Sequence, residues 1–312
     1  MTVQGPAATT GQAASPAADG VPAVALPARR RAPVWRLVRA EVRWIFRRPR
    51  TLVVLGLLAA LPVITGVAVD LTLDGGAAAP VGTGPGGPSG GGPPIFVTMA
   101  TSAFVLPLGS LMTLLMLMLP LTVAMAGGDA LAGEQSHGAL RGWLLAPVSR
   151  GRLLLVKSVG VLVVALVAAS LVVVSGLVTG LVLAGTDGLV SMSGTELSFG
   201  AVLWRLAVAV GWATVYLMAV GAVALAISAS TEHPMLVVVG VLGGLIVSVV
   251  LLQISALDWL HPYLLPSSLP NLIDLIRDPV SFDGLGEGAF RALCYLVIGL
   301  SVAYARLTTR DG

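Results

Sequence analysis

Long runs of apolar residues dominate this chain and alternate with short polar segments that are rich in glycine, proline and charge. A membrane-spanning α-helix needs about 20 apolar residues, because each residue rises about 1.5 Å across a hydrocarbon layer about 30 Å thick. A membrane β-barrel needs segments of about ten residues that alternate in polarity, whereas these runs are apolar on every face. The pattern therefore predicts six spanning helices, which run approximately from Leu52 to Val69, Thr98 to Ala126, Leu153 to Ala184, Leu203 to Ala229, Met235 to Ile254 and Ala289 to Ala305.

Composition leads to the same class of protein. Of the 312 residues, 56% are hydrophobic and only 11% are charged, whereas a soluble domain carries about 25% charged residues. The predicted fold class is therefore all-α, a polytopic membrane protein with six transmembrane helices. We expect it to be a multi-pass protein of the cell membrane.

The basic residues predict which helix ends face the cytoplasm, because Lys and Arg are retained on that side. With the N-terminus inside, the cytoplasmic segments hold fifteen of the 18 basic residues, and only Arg205, Arg277 and Arg291 fall outside. The same arrangement puts nine of the 15 acidic residues outside. Both termini are therefore predicted to be cytoplasmic.

The polar segments divide the chain into parts with different expected roles. Residues 1–32 are predicted to be a disordered cytoplasmic tail, since their nearly uncharged, Ala- and Pro-rich start buries too little apolar surface to offset the entropy of ordering. The last outer loop mixes aromatic residues, apolar residues and prolines, which indicates short helices folded onto the outer mouth as a lid. The other predicted parts are an interfacial helix at 33–50, a transmembrane domain at 51–306 with an inner polar segment at 127–152, outer loops at 70–97, 185–200 and 257–287, and a cytoplasmic tail at 307–312.

The segment before the first span has the pattern of an amphipathic helix. Its basic residues share one helical face, and its apolar residues lie on the other. Such a helix suits the cytoplasmic interface of the membrane, with guanidinium groups among anionic head groups, which makes membrane lipids an expected partner. The alternative is that the arginines act only as a topology signal. The basic face holds Arg36, Arg39, Arg43 and Arg47, and the apolar face holds Trp35, Val38, Val42, Ile45 and Phe46.

Motifs that carry chemistry are scarce in this sequence. Cys294 is the single cysteine, and His137, His233 and His261 have no spacing that would hold a metal ion. The chain has no glycine-rich phosphate loop, and its one Gly-x-Ser-x-Gly string, at residues 87–91, lies in a Gly- and Pro-rich outer loop rather than in the strand–turn–helix context that a nucleophile motif needs. It also lacks a series of acidic residues or histidines deep in the spans, which weighs against a carrier driven by protons or sodium.

A few polar and small residues near the membrane need a structural explanation. Asp129, Glu232 and Arg205 lie at predicted helix ends, where we expect them to reach water as interfacial anchors. Glycines spaced by four residues allow helices to approach closely, and we interpret them as packing sites rather than dimer contacts. These pairs are Gly176 with Gly180 and Gly240 with Gly244.

The inner polar segment is the main candidate site. Gly127-Gly128 is predicted to end the second spanning helix, and a short amphipathic helix is expected to follow around Leu140 and Leu144. Pro147 would stop this helix, and Ser149 is placed to cap the third span. Such a segment suits insertion into the groove of a partner protein. The alternative is an ordinary cytoplasmic loop.

The residues of this segment resemble the signature of the ABC type-2 export permeases. That signature runs roughly Glu, Gly-Thr-Leu, Leu-Leu, Pro-Val-Ser-Arg and Gly-Lys before the third helix, and the other predicted elements from Pro33 onward follow the same layout. Departures are His137, Ala139 for the usual Thr and Val156 for the usual Gly. The matching residues are Glu134, Gly138, Leu140, Leu144-Leu145, Pro147 to Arg150, Leu155 and Lys157.

The resemblance implies a half-transporter in which two permease subunits, expected to be a homodimer, form the pathway and bind two separate ABC ATPase subunits. The chain itself would hold no cofactor, since ATP and Mg belong to the ATPase, and no nucleic acid is expected. Residues 127–152 would be the coupling segment, in which Glu134 and Arg141 orient docking by charge and Leu140 and Leu144 are anchors. The full predicted coupling set is Glu134, Gly138, Leu140, Arg141, Leu144, Pro147, Ser149 and Arg150.

Two other classes of function stay open at this point. A channel or scaffold subunit would need no ATPase, and a lipid-handling membrane enzyme would need acids or histidines that converge at one membrane face. The outer acids Asp258, Asp274, Asp278 and Asp283 are the nearest to such a cluster. Methionines on the second and fourth spans would suit an amphipathic cargo, but they fit ordinary helix packing equally well.

Overall fold

The computed structural model describes residues 34–74, 103–136, 150–185 and 197–309. These residues form eight α-helices and two 3₁₀ segments, without a β-strand among them, in agreement with the predicted all-α class. The predicted tail at 1–32 lies outside the described residues. The helices are α1 (Val34–Arg47), α2 (Pro49–Asp74), α3 (Val105–Met116), α4 (Met118–Ser136), α5 (Arg150–Ala184), α6 (Phe199–Ser228), α7 (Pro234–Leu251) and α8 (Asp283–Thr309), and the 3₁₀ segments are Ser255–Tyr263 and Leu265–Leu275.

Five of these helices, α2 and α5 to α8, are each long and apolar enough to cross a membrane. Helices α3 and α4 pass the same test together, as a span bent by 52° at Leu117. Counted as one span, this pair completes the six predicted crossings. The expectation of one continuous second helix was wrong, because Pro120 has no N–H for the Met116 carbonyl and its ring clashes with that group.

The second correction concerns Gly127-Gly128, which does not end a helix. Helix α4 continues through both glycines to Ser136. A Cβ atom added to Gly127 would lie 2.7 Å from the Ala224 Cβ, and one added to Gly128 would lie 3.1 Å from the Pro234 carbonyl oxygen. These glycines therefore allow α6 and α7 to approach the backbone of α4, a use of glycine that is common between membrane helices.

Helix α5 lies at the centre of the packing and contacts α1, α2, α3, α4 and α6. Its small residues set how closely α3 approaches. A Cβ atom on Gly176 would lie 2.8 Å from the Pro107 Cα, and one on Gly180 would lie 2.8 Å from the Ala103 Cα. This contact within the chain confirms the packing interpretation of the Gly176 and Gly180 pair.

At the opposite end from α1, the second 3₁₀ segment packs against α3, α6, α7 and α8, and the first 3₁₀ segment packs against the second. They confirm the short helices predicted in the last outer loop. Arg205 is only 9% exposed and donates hydrogen bonds to the Leu275 and Arg277 carbonyl oxygens and to Asp278 Oδ1. The prediction that Arg205 reaches water as an interfacial anchor was therefore wrong, since the folded loop covers its side chain and supplies its hydrogen-bond partners.

Three further side chains hold the same segments in place. The Trp212 indole N–H donates to the Leu285 carbonyl at 2.9 Å, and the Asn271 amide donates to the Gly284 carbonyl at 2.8 Å. Arg291 donates to the Leu264 carbonyl at 3.1 Å. Trp212 and Asn271 thus donate to carbonyls in the first turn of α8, and Arg291 fixes the residue that joins the two 3₁₀ segments.

The glycine packing predicts opposite effects for two similar substitutions. Gly180→Ala forces a methyl group into the backbone beside Ala103 and should lower the free energy of unfolding by about 1 to 3 kcal/mol. Gly211→Ala is the matched control, because no described atom lies within 4 Å of its added Cβ and alanine favours a helix over glycine by about 0.5 to 1 kcal/mol. Thermal unfolding of the detergent-purified proteins measures both. Equal stability of Gly180→Ala and the parent would contradict the close α3–α5 contact.

Candidate functional site

Helix α1 presents two chemically different faces. Val38, Val42, Ile45 and Phe46 are half-buried on the side that packs against α5. Trp35, which we had grouped with these residues, is instead 66% exposed, and the Arg39 guanidinium lies 5.8 Å from the centre of its ring. The opposite side of α1 is a stripe of four exposed arginines, Arg36, Arg39, Arg43 and Arg47.

A buried ion pair fastens α1 to α5. Lys157 Nζ lies 2.9 Å from Glu41 Oε1, and the Lys157 side chain is fully buried while that of Glu41 is 11% exposed. The Trp44 ring lies beside them, with its centre 5.7 Å from Lys157 Nζ. An ammonium group removed from water must be compensated by a carboxylate or polar groups, so Glu41 stabilises the charged lysine at this position.

A second set of ion pairs connects the start of α2 to α4. Arg48 Nη1 and Arg50 Nη2 both donate to Asp129 Oδ2, at 2.9 and 2.7 Å. Arg48 is the residue between α1 and α2, and its guanidinium lies 3.4 Å from the centre of the Trp44 ring. The sequence predicts that Asp129 reaches water as an interfacial anchor. In the structure it is instead the shared partner of two arginines. We call Glu41, Arg48, Arg50, Asp129 and Lys157 the ionic junction.

The ionic junction borders a crevice that is lined by residues of α1, α2, α4 and α5. The cavity volume is about 40 Å³. Charged side chains of the junction lie on one part of its wall, and the remainder is mainly apolar. The apolar wall includes Val54, Met125, Ala126, Val161 and Val164.

One turn beyond Asp129, the fully buried hydroxyl group of Ser228 connects α6 to the backbone of α4. Its oxygen accepts a hydrogen bond from the Ala132 N–H at 2.9 Å and donates one to the Gly128 carbonyl at 3.2 Å. In a regular α-helix these two backbone groups pair with each other. The hydroxyl bonds to both of them, which ties the end of α6 to the last turns of α4.

The predicted coupling residues fall partly within the described structure. Glu134 lies in the last turn of α4, and Arg150 begins α5. Arg150 Nη1 donates to the Leu307 and Thr308 carbonyl oxygens, each at 3.1 Å, so the start of α5 is held to the end of α8. The other predicted coupling residues lie outside the described residues, namely Gly138, Leu140, Arg141, Leu144, Pro147 and Ser149.

Sequence reasoning missed the partners that build the ionic junction. Glu41 is the one acid within a strongly basic helix, and Asp129 is an isolated acid after an apolar run. Both are signals that a buried or shared cation lies nearby, since isolated charges beside lipid are costly. Which cations these are follows only from the contacts between helices.

The outer acids do not converge into a site. Asp258 lies 3.5 Å from His261, Asp274 lies 3.5 Å from Arg277, and Asp278 pairs with Arg205 at 3.1 Å. Within the described part of the chain, no group of three or more His, Cys, Asp or Glu side chains is placed to hold a metal ion. These three outer acids therefore pair with basic residues of the same loop or of α6.

Comparison with known proteins adds an independent finding. A family model described as ABC-2 family transporter protein matches residues 35–282, which is most of the chain. The match begins in α1 and ends just before α8, so it includes every residue of the ionic junction. No curated protein matches the chain at a significant level.

The buried pair predicts a large effect from a nearly isosteric change. Glu41→Gln removes the carboxylate beside the buried Lys157 ammonium and should lower the free energy of unfolding by on the order of 3 kcal/mol. The double variant Glu41→Gln with Lys157→Met should recover part of this loss, because it removes the buried charge as well. Chemical denaturation in detergent provides the measurement. A Glu41→Gln protein as stable as the exposed control Arg43→Gln would contradict the role of the pair.

Proposed function

We propose, because the chain belongs to the ABC-2 family of transporter proteins, that it is the membrane-spanning permease subunit of an ATP-driven exporter in the cell membrane. Two copies would form the translocation pathway between them as a homodimer. Each would bind a separate ABC ATPase subunit, which carries the ATP and Mg. This chain would contribute the pathway and the coupling surface, and no catalytic group.

The observation that carries this proposal is the path of α4. The helix runs from the bend at Leu117 to Ser136, so its end forms the first part of the predicted coupling segment at 127–152. An α-helix of 19 residues is about 28 Å long and transmits a push along its axis. Force applied by an ATPase near Glu134 would therefore reach the bend between α3 and α4.

The ionic junction supports the same mechanism. Asp129 links α4 to Arg48 and Arg50, and Glu41 with Lys157 links α1 to α5. A shift of the lower part of α4 would therefore carry the α1–α2 corner with it. ATP-driven closure of the two ATPases would rock these linked helices between inward-facing and outward-facing states, a transition of rigid bodies between two packed arrangements.

The orientation follows from charge. The exposed arginine stripe, the ionic junction, Arg150 and the end of α8 all lie at one end of the bundle. The positive-inside rule puts this basic end in the cytoplasm, where ATPase subunits would bind. A channel or scaffold subunit would have the same orientation but would not bind an ABC ATPase. Binding of an ABC ATPase therefore distinguishes an exporter permease from these alternatives.

The first test is purification of the full-length protein in mild detergent from its native host, followed by identification of stoichiometric partners. The proposal expects an ATP-binding-cassette ATPase in about equal amount. A clean and stable preparation that brings down no ATPase would favour the channel or scaffold alternative.

Charge removal in the coupling segment gives a sharper prediction. The double variant Glu134→Ala with Arg141→Ala should lose most of the recovered ATPase and of the permease-stimulated ATP hydrolysis, because these charges orient docking. Membrane insertion should stay intact. Arg277→Ala is the control, since this exposed arginine lies at the opposite end and pairs only with its neighbour Asp274 among the described residues. Normal ATPase recovery and stimulation in the double variant would contradict the coupling assignment.

A further inference from the structure

Among the described residues, two arginines share the single carboxylate of Asp129, which leaves one positive charge over. Arg48 and Arg50 both donate to the same carboxylate oxygen, Asp129 Oδ2, so two guanidinium groups share one carboxylate. Each guanidinium has five N–H donors, and in the described structure each uses one of its terminal nitrogens on Asp129. The side chains are 34% and 57% exposed, so their remaining donors are accessible to a ligand. Both the charge and the donors favour an additional anion.

The size of the adjoining crevice limits which anion can fit. Its volume is about 40 Å³, and a site for one water needs about 10 to 15 Å³ on this measure, so it holds roughly three oxygen-sized groups. This space takes at most part of a phosphate group, so the phosphate lies at the mouth of the crevice beside the two arginines rather than inside it. Arginine binds phosphate well, because its planar fork of donors matches the phosphate oxygens.

The position of the crevice identifies the source of the phosphate. Arg48 and Arg50 flank the first residue of α2, where this spanning helix begins at the basic end of the bundle. The exposed Trp44 ring lies against Arg48, and aromatic rings are enriched at the level of the lipid head groups. Basic pockets between spanning helices at the cytoplasmic surface are suited to anionic lipid head groups.

We propose that Arg48 and Arg50, at the mouth of the crevice, bind the phosphate of an anionic phospholipid from the cytoplasmic leaflet. The phosphate completes the charge balance of the two arginines and Asp129. The acyl chains of the lipid stay in the bilayer, outside the crevice. This proposal depends on the membrane orientation and is independent of whether an ATPase binds.

The site differs from the arginine stripe on α1. That stripe, Arg36, Arg39, Arg43 and Arg47, is exposed along one helix face and attracts an anionic surface without a defined pocket. A lipid held only by the stripe would respond equally to the loss of any one arginine. For a lipid held at the crevice, loss of the Arg50 charge should weaken binding, whereas loss of the Asp129 charge should strengthen it.

Native mass spectrometry of the full-length detergent-purified protein, titrated with phosphatidylglycerol or phosphatidylcholine, tests the site. We expect one preferred phosphatidylglycerol adduct, a loss of about tenfold in its affinity in Arg50→Gln, and a smaller loss in Arg50→Lys, which keeps the charge without the planar fork. Asp129→Asn should bind phosphatidylglycerol more tightly than the parent, because it removes the competing carboxylate. Arg39→Gln, which removes the same charge from the stripe, should change affinity by less than twofold.

Three results would overturn the proposal. Equal losses in Arg39→Gln and Arg50→Gln would show diffuse attraction to the basic helix. Weaker phosphatidylglycerol binding in a folded Asp129→Asn protein would show that the Asp129 carboxylate does not compete with a phosphate for Arg48 and Arg50. A site for a free anion would be shown by either of two results. A low concentration of inorganic phosphate would displace the lipid, or inorganic phosphate would raise the unfolding temperature as much as phosphatidylglycerol does. If Arg50→Gln does not fold, Arg50→Lys and Asp129→Asn still decide the outcome.

Discussion

The arrangement of the basic end depends on one physical constraint, which is that charges at the edge of the hydrocarbon layer must be neutralised by neighbours. Lys157 is fully buried and cannot reach water. Glu41 lies 2.9 Å from its ammonium group and neutralises the charge, so this ion pair holds α1 on α5. Asp129 satisfies the same constraint by accepting from Arg48 and Arg50. The amphipathic helix is thus attached to the spanning bundle by ion pairs as well as by its half-buried apolar face.

Close backbone contacts complement these ion pairs. Apolar side chains gain little from associating with each other in lipid, so membrane helices rely on close packing and on hydrogen bonds. Gly127 and Gly128 bring α6 and α7 against α4, and the Ser228 hydroxyl bonds to the α4 backbone directly. Helix α4 is therefore held on several sides at the start of the predicted coupling segment.

The two ends of the bundle are built differently. At the outer end, Arg205, Arg291, Trp212 and Asn271 donate to backbone carbonyls of the 3₁₀ segments and the start of α8. Neutral and charged donors thus fix irregular chain onto α6 and α8. At the basic end, paired charges connect separate helices. The outer layer is expected to move with α6 and α8 as a unit.

The sequence by itself determined the number and approximate limits of the spans, the basic end and the resemblance to the transporter family, because hydrophobic length, charge and local motifs are properties of short segments. Pro120 is a further local signal in the sequence, and it indicates the bend at Leu117. The tertiary structure alone decided that Gly127 and Gly128 pack rather than end a helix, and that Arg205 is buried. It also decided the ion pairs, since Glu41 and Lys157 are 116 residues apart and Arg48 and Asp129 are 81 apart. Such contacts depend on which helices become neighbours, and no periodicity within one helix contains that information.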